Sequence, residues 1–198
     1  MRKKLILTGL ALVLAALLGC TGLLIQQRAL ADKLIRFHVV ADSDAEADQS
    51  NKLAVRDALL DTLAPMAKRT QTRAEMLHVL RDSLPQLKAQ AEQTLRRLGC
   101  ADAVEVSLGR ESYPLRRYEG YVLPAGSYES LRVVLGEGEG RNWWCVIFPQ
   151  LCLTASAAEQ AQSVMNPEDF AIISEEEGYE LRFRVVELWG ELMRLLDL

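Results

Sequence analysis

An α/β domain, a mixed β-sheet with a central hairpin packed against several helices, is what this 198-residue sequence predicts behind an N-terminal hydrophobic leader. Three observations carry that expectation. Two apolar strand-like runs flank a glycine-rich turn between Leu123 and Cys152, helical spacings fill the region from Asp42 to Gly99, and an uncharged apolar run opens the chain.

Arg2, Lys3 and Lys4 precede an uncharged run from Leu5 to Gln27 that is almost wholly apolar up to Ile25. That length spans a bilayer, and the basic flank keeps to the cytoplasm. Three readings stay open: a signal peptide cut at Ala29-Leu30-Ala31, an uncleaved anchor in contact with the membrane, and lipidation at Cys20 of the lipobox-like Leu17-Leu18-Gly19-Cys20. Each puts the chain from about residue 32 onward outside the cytoplasm. The division expected is therefore a leader, 1–31, and a single exported domain, 32–198, long enough for a proper core. Without Arg2, Lys3, Lys4 and Arg28 the 23 basic residues fall to 19 against 27 acidic ones, a net charge near −8. So acidic a domain is a poor partner for nucleic acid or anionic lipid.

In chain order, Leu34 to Val40 reads as a strand, with Ile35, Phe37 and Val39 on one face and Arg36, His38 and Val40 on the other. Asp42-Ser43-Asp44 ends it and caps a helix, with Glu46 three residues after Ser43 as in a capping box. That helix carries Val55, Leu59 and Leu63 and is expected to stop at Pro65. A second helix opens at Thr72, boxed by Glu75. A third starts at Ser83 with Pro85 in its first turn and ends at Gly99. Val104 to Leu108 is a strand, and Tyr113 to Pro124 reads as a surface loop. Ser127 to Leu135 alternates, Trp143 to Phe148 is apolar on both faces, and Gly136, Gly138 and Gly140 between them suit a hairpin turn. Farther on, Ser156 to Gln162 reads as a short helix, Leu181 to Val185 as a last strand, and Trp189, Leu192, Met193 and Leu196 as one side of a C-terminal helix.

Chemistry-bearing constellations are sparse. Gly136-Glu137-Gly138-Glu139-Gly140 precedes a strand, lacks a closing Lys-Ser or Lys-Thr, and carries two glutamates that repel phosphate, so it is not a phosphate loop. Those two carboxylates are too few for calcium, and two histidines without a Cys-x-x-Cys argue against zinc. No cofactor is implied. Cys145 and Cys152 suit a disulfide once exported, the alternative being two buried thiols. The rival to a non-enzymatic domain is an envelope hydrolase using Cys145 or Ser43 with His38 as base. Ser43 and Asp44 already have work as caps.

Two stretches carry more information. One is Arg36-Phe37-His38-Val39-Val40-Ala41-Asp42-Ser43-Asp44, continued by Asp48-Gln49, Lys52-Leu53 and Val55-Arg56-Asp57. The other is Leu123-Pro124-Ala125-Gly126, Tyr128-Glu129, then Gly136 through Val146 with its Asn142-Trp143-Trp144-Cys145, closing on Phe148-Pro149 and Leu151-Cys152. Over about residues 34–153 the chain resembles the stage II sporulation protein R family. It departs at Asp42, where Asn is expected, and at Arg141, where Lys is common. The resemblance implies a signalling protein of endospore-forming bacteria, exported from the forespore into the intermembrane space. There it would trigger the membrane-embedded sigma-E factor-processing peptidase, which cuts a sigma factor precursor in the mother cell. Candidate partner-binding residues are Arg36 and His38 on one strand face, Lys52 and Arg56 four apart on a helix, Asp42 and Asp44 beside them, and Trp143 and Trp144 as interface anchors.

Overall fold

The computed structural model describes residues 19, 21–22, 24–118, 120–150, 165 and 167–174. The expected helix at 156–162, strand at 181–185, C-terminal helix and Cys152 lie outside the described residues, as does most of the leader. Among the described residues no helix is long and apolar enough to cross a membrane. The elements run β1 (Ile35–Val40), α1 (Glu46–Arg69), α2 (Arg73–Arg97), β2 (Val104–Tyr113), β3 (Arg116–Tyr118), β4 (Tyr121–Leu123), β5 (Gly126–Leu135), β6 (Asn142–Phe148) and α3 (Pro167–Ile173). The fold is α/β, with a mixed four-stranded sheet, a separate two-stranded hairpin and helices.

The sheet order is β2-β5-β1-β6. β1 runs parallel to β5 and antiparallel to β6, and all six of its residues are buried. The central hairpin is thus corrected. β5 and β6 form where the pattern put them, but β1 lies between, and the 136–141 connection arches over its end. Strand alternation reports which face a residue takes, not which strand pairs beside it. The connection is held by β1's own exit: Glu139 N–H donates to the Asp42 carbonyl at 2.9 Å and Gly140 N–H to that of Ala41 at 3.0 Å.

One face of the sheet packs on α1 and α2, where Phe37, Val39, Val55, Leu59, Leu80, Leu87, Leu131 and Val133 form the main core. The expected helix boundaries shift for a common reason. Both Pro65 and Pro85 sit inside helices, each giving up one backbone rung. The buried stripe runs straight past them, through Leu63, Met66 and Ala67 in α1 and through Met76, Leu80, Leu87, Ala91 and Leu95 in α2. Tertiary burial outweighs the lost rung, so three expected helices become two. The capping box of Thr72 and Glu75 forms as expected, and Gly99, at φ 75°, ends α2.

The opposite face carries a second cluster of Leu30, Ala31, Leu34, Tyr113, Tyr121, Leu123, Tyr128, Val146, Met165 and Ile173. Tyr113 to Pro124 is a correction as well. β2 extends to Tyr113, and the expected loop folds into the β3–β4 hairpin around Gly120, at φ 81°. Residues 24–31 are helical, the Gln27 amide bonds the Ala125 carbonyl, and Leu30 and Ala31 are buried in the second cluster. The last residues of the segment read as a leader are therefore part of the folded core.

Candidate functional site

Two polar constellations stand out, one at a corner of the sheet and one on the face away from α1 and α2. At the corner, β1 exits into Asp42-Ser43-Asp44, and the 136–141 connection docks on it. The backbone N–H of Glu137 donates to the Asp42 carboxylate at 2.6 Å, and that of Arg141 to the Asp44 carboxylate at 2.7 Å. These carboxylates were expected to cap α1, whose N-cap is instead Ala45 with no side-chain cap. Ser43 accepts from the Ala45 N–H at 3.1 Å and donates to Asp48. The two carboxylates satisfy loop N–H groups that a phosphate site would turn outward, so the glycine-rich loop is structural.

Lys52 threads beneath, its ammonium donating to the Arg141 carbonyl at 2.8 Å and to Gln49 Oε1 at 2.6 Å. Burial, and then the Arg141 charge, push Lys52 below its ordinary value, while Asp44 works the other way. The Arg56 guanidinium lies 5.1 Å from the Trp143 ring centre, a cation–π contact. Asp42, Asp48 and Asp102 bring carboxylate oxygens within 4.8 Å of one another. Asp42 and Asp48 are already engaged with the Glu137 N–H and the Ser43 hydroxyl, so the cluster does not offer a free set of ligands.

The loop's fit is tight at Gly140, where a Cβ would sit 2.2 Å from the Ser43 carbonyl oxygen and 2.9 Å from Ala41 Cβ. Both neighbours are near-rigid backbone or a β-carbon. Gly140→Ala is therefore expected to lose about 2–3 kcal/mol of stability by overpacking. Urea unfolding measures this, and an unchanged midpoint would show that the loop does not seat on β1 as described.

On the opposite face, Arg36 is fully buried. Its Nε donates to the Cys145 carbonyl at 3.2 Å and its Nη2 to the Tyr118 hydroxyl at 2.6 Å. The guanidinium lies 4.3 Å from the Tyr113 ring centre, 5.2 Å from Tyr128 and 5.7 Å from Tyr118. Burial pushes all three hydroxyls, and that of Tyr121, above their ordinary value. Beside Arg36, His38 bonds Glu111 Oε1 through Nδ1 and Asn142 Oδ1 through Nε2, both at 2.8 Å. Arg116 stacks on Trp144 at 3.5 Å. Among the described residues, Arg36 Nη1, Glu111 Oε2, Arg116 Nε and Tyr121 OH here are buried without a hydrogen-bond partner.

The predicted residues thus divide. Asp42, Asp44, Lys52, Arg56 and Trp143 share the corner. Arg36, His38 and Trp144 lie across the sheet, and enclosure leaves Arg36 no surface for a partner. Trp143 and Trp144 do take opposite faces, the first beside Phe37 and the second beside His38. Tyr113, Tyr118, Tyr128, Arg116 and Glu111 were missed. The pairing of Arg116 and Tyr118 with Tyr121 and Leu123 across Gly120 was a legible hairpin signal, hidden by Pro114. The hydrolase alternative fails on register. Cys145 pairs opposite Phe37 and His38 opposite Trp144, so the sulfur and imidazole point to different faces, and Ser43 is spent on Asp48. Cys145 is disulfide-bonded to a partner outside the described residues. Cys100 is free, and burial raises its thiol above its ordinary value.

The corner joins the very stretches that carry the family resemblance, and comparison with known proteins agrees. The family model described as Stage II sporulation protein R (spore_II_R) matches residues 31–158. The chain belongs to the stage II sporulation protein R family. It is similar to the Stage II sporulation protein R of Bacillus subtilis (strain 168), with 37% identity over 127 residues, which are 64% of this chain and 57% of that relative. The match thus spans little more than half the relative's length. No solved structure matches.

Proposed function

We propose that this chain is an exported, non-enzymatic sporulation signal that activates the membrane-embedded sigma-E factor-processing peptidase from the intermembrane space. The observation that carries the reading is membership of the stage II sporulation protein R family. The apolar leader supports export, and the hydrolase reading, Cys145 or Ser43 with His38 as base, draws no support from a register that turns Cys145 and His38 to opposite faces. A signal of this kind needs no chemistry of its own. It must bind the active receptor better than the inactive one, and about 5.5 kcal/mol of difference turns a 1:99 population into 99:1. Retention of the leader would keep Leu30 and Ala31 in the second core and the domain at the membrane, whereas a cut at 29–31 would remove that part of the core. In sporulating cells that lack this protein, the sigma factor precursor is expected to stay uncleaved on immunoblots, and expression of the full chain in the forespore to restore cleavage. Cleavage without the protein refutes the proposal.

A further inference from the structure

We infer that the free edge of β2, with the recess beside it, is a strand-addition site for an extended, carboxylate-bearing segment of the receptor; the identity of that partner rests on the signalling reading. β2 is ten residues long and pairs with β5 from Val104 opposite Leu135 to Tyr113 opposite Gly126. Among the described residues nothing pairs its other side. In such an antiparallel pair, alternate residues turn both backbone groups away from the neighbour, and an unpaired row of this length is a template for another strand. Glu105, Ser107, Gly109, Arg110 and Ser112 are exposed along it.

Gly109 is the second observation. A glycine inside a strand weakens it and marks a bulge or a close approach by another group. Here the ladder to β5 continues without a register shift through Gly109, φ is ordinary, and a Cβ would meet nothing within 4 Å. The fold makes no use of the missing side chain, so the space serves something outside the chain. That space is a recess of about 140 Å³ lined by Ser107, Gly109, Arg110, Glu111, Ser130 and Arg132.

The lining selects the occupant. Arg110 is tied to Asp32 at 2.9 Å and to the Ser127 carbonyl at 3.0 Å. Arg132 is half-exposed, and its one ion pair among the described residues is a long 3.6 Å approach to Glu111, whose same oxygen already takes the His38 bond. A guanidinium with donors to spare, beside the exposed Ser107 hydroxyl, suits a carboxylate; Ser130 is buried and spent on the Tyr113 hydroxyl at 2.6 Å. An added strand places every second side chain on this face, so an Asp or Glu opposite Gly109 reaches Arg132. Charges at Glu105, Arg110 and Glu111 discourage indiscriminate edge pairing while leaving a matched segment free to add.

The test uses the full chain and the purified receptor peptidase in detergent. Gly109→Leu fills the recess, and Arg132→Glu reverses its charge; both are expected to leave thermal unfolding unchanged and to weaken receptor binding at least about tenfold. In hydrogen exchange, the outward amides of 104–113 should exchange fast in the free protein and slow on binding. Wild-type binding that both variants retain, or 104–113 amides unprotected in the complex or already protected in the free protein, overturns the site and leaves the signalling reading standing. A wild-type chain that neither binds the receptor nor restores precursor cleavage overturns both.

Discussion

Arg36→Ala is expected to cost about 3–5 kcal/mol of folding stability, while Arg36→Met costs under about 1.5 kcal/mol. The guanidinium is fully buried, and no carboxylate pairs with it among the described residues. It is held by two hydrogen bonds and by the faces of Tyr113, Tyr128 and Tyr118. Both variants strip the Tyr118 hydroxyl of its Arg36 partner, but alanine also opens a cavity beneath three aromatic rings. Methionine keeps most of the volume and removes a buried charge whose Nη1 is unsatisfied. Replacing buried charge by a well-fitting apolar group is often neutral or better. Guanidinium unfolding of the two variants measures the contrast. Equal losses would mean that the charge itself, not the space it fills, holds the second core together. Precursor cleavage by the methionine variant then separates folding from recognition, and retained signalling makes Arg36 a packing residue.

How far the sequence reached depended on which physical signal each element carried. Periodicity located β1, β5, β6 and the buried stripes of both helices, because burial on one face leaves a repeat that needs no partner to be seen. Pairing leaves no such mark. The run from Gly136 to Gly140 suits a tight hairpin and suits equally an arch over a third strand, and only the positions of Ala41 and Asp42 decide between them. Proline misled in the same way twice. At Pro65 and Pro85 the local cost is small beside the burial of Leu63, Met66, Leu80 and Leu87, a sum that a residue-by-residue rule does not see. The small-x-small pattern at 29–31 is a local signal, whereas the burial of Leu30 and Ala31 in one cluster with Tyr121 and Tyr128 depends on residues far along the chain.

The candidate site was legible in pieces. Asp42 and Asp44 drew notice as charged groups at a strand end, and they prove to be acceptors for the N–H groups of Glu137 and Arg141. Their caps were assigned to the helix because a local partner is the default, although the loop that uses them lies 95 and 97 residues away. Arg36 and His38 share a face as read. That face is enclosed because β3 and β4 cover it, and those strands were read as loop. The residues that matter most on it, Glu111 and the tyrosines, have no motif; they are recognisable only once β2 and β5 lie side by side.

The same tyrosines predict that the fold is lost in alkali, beginning near pH 10. Tyr113, Tyr121 and Tyr128 are almost wholly buried, and burial raises each hydroxyl far above its ordinary value of about 10. Below pH 10 they are protonated in both folded and unfolded chains and contribute no pH dependence. Above it the unfolded chain releases protons that the native state keeps, so stability falls as pH rises toward the folded values. Each such group takes away about 1.4 kcal/mol per pH unit, and the three together about 4 kcal/mol. A domain stability of about 5–10 kcal/mol is then exhausted within about two units. Arg36 opposes this, since a guanidinium favours a neighbouring tyrosinate, but it acts on all three through the same buried space and burial prevails. Far-ultraviolet circular dichroism and tyrosinate absorbance, followed together, should show one cooperative step in which ionisation coincides with unfolding. In Arg36→Met the hydroxyls stay protonated in the native state over the same range, so the step should stay at the wild-type pH, displaced only by whatever stability the variant loses at neutral pH. Smooth ionisation near pH 10 with the circular dichroism intact would mean that the second core admits water.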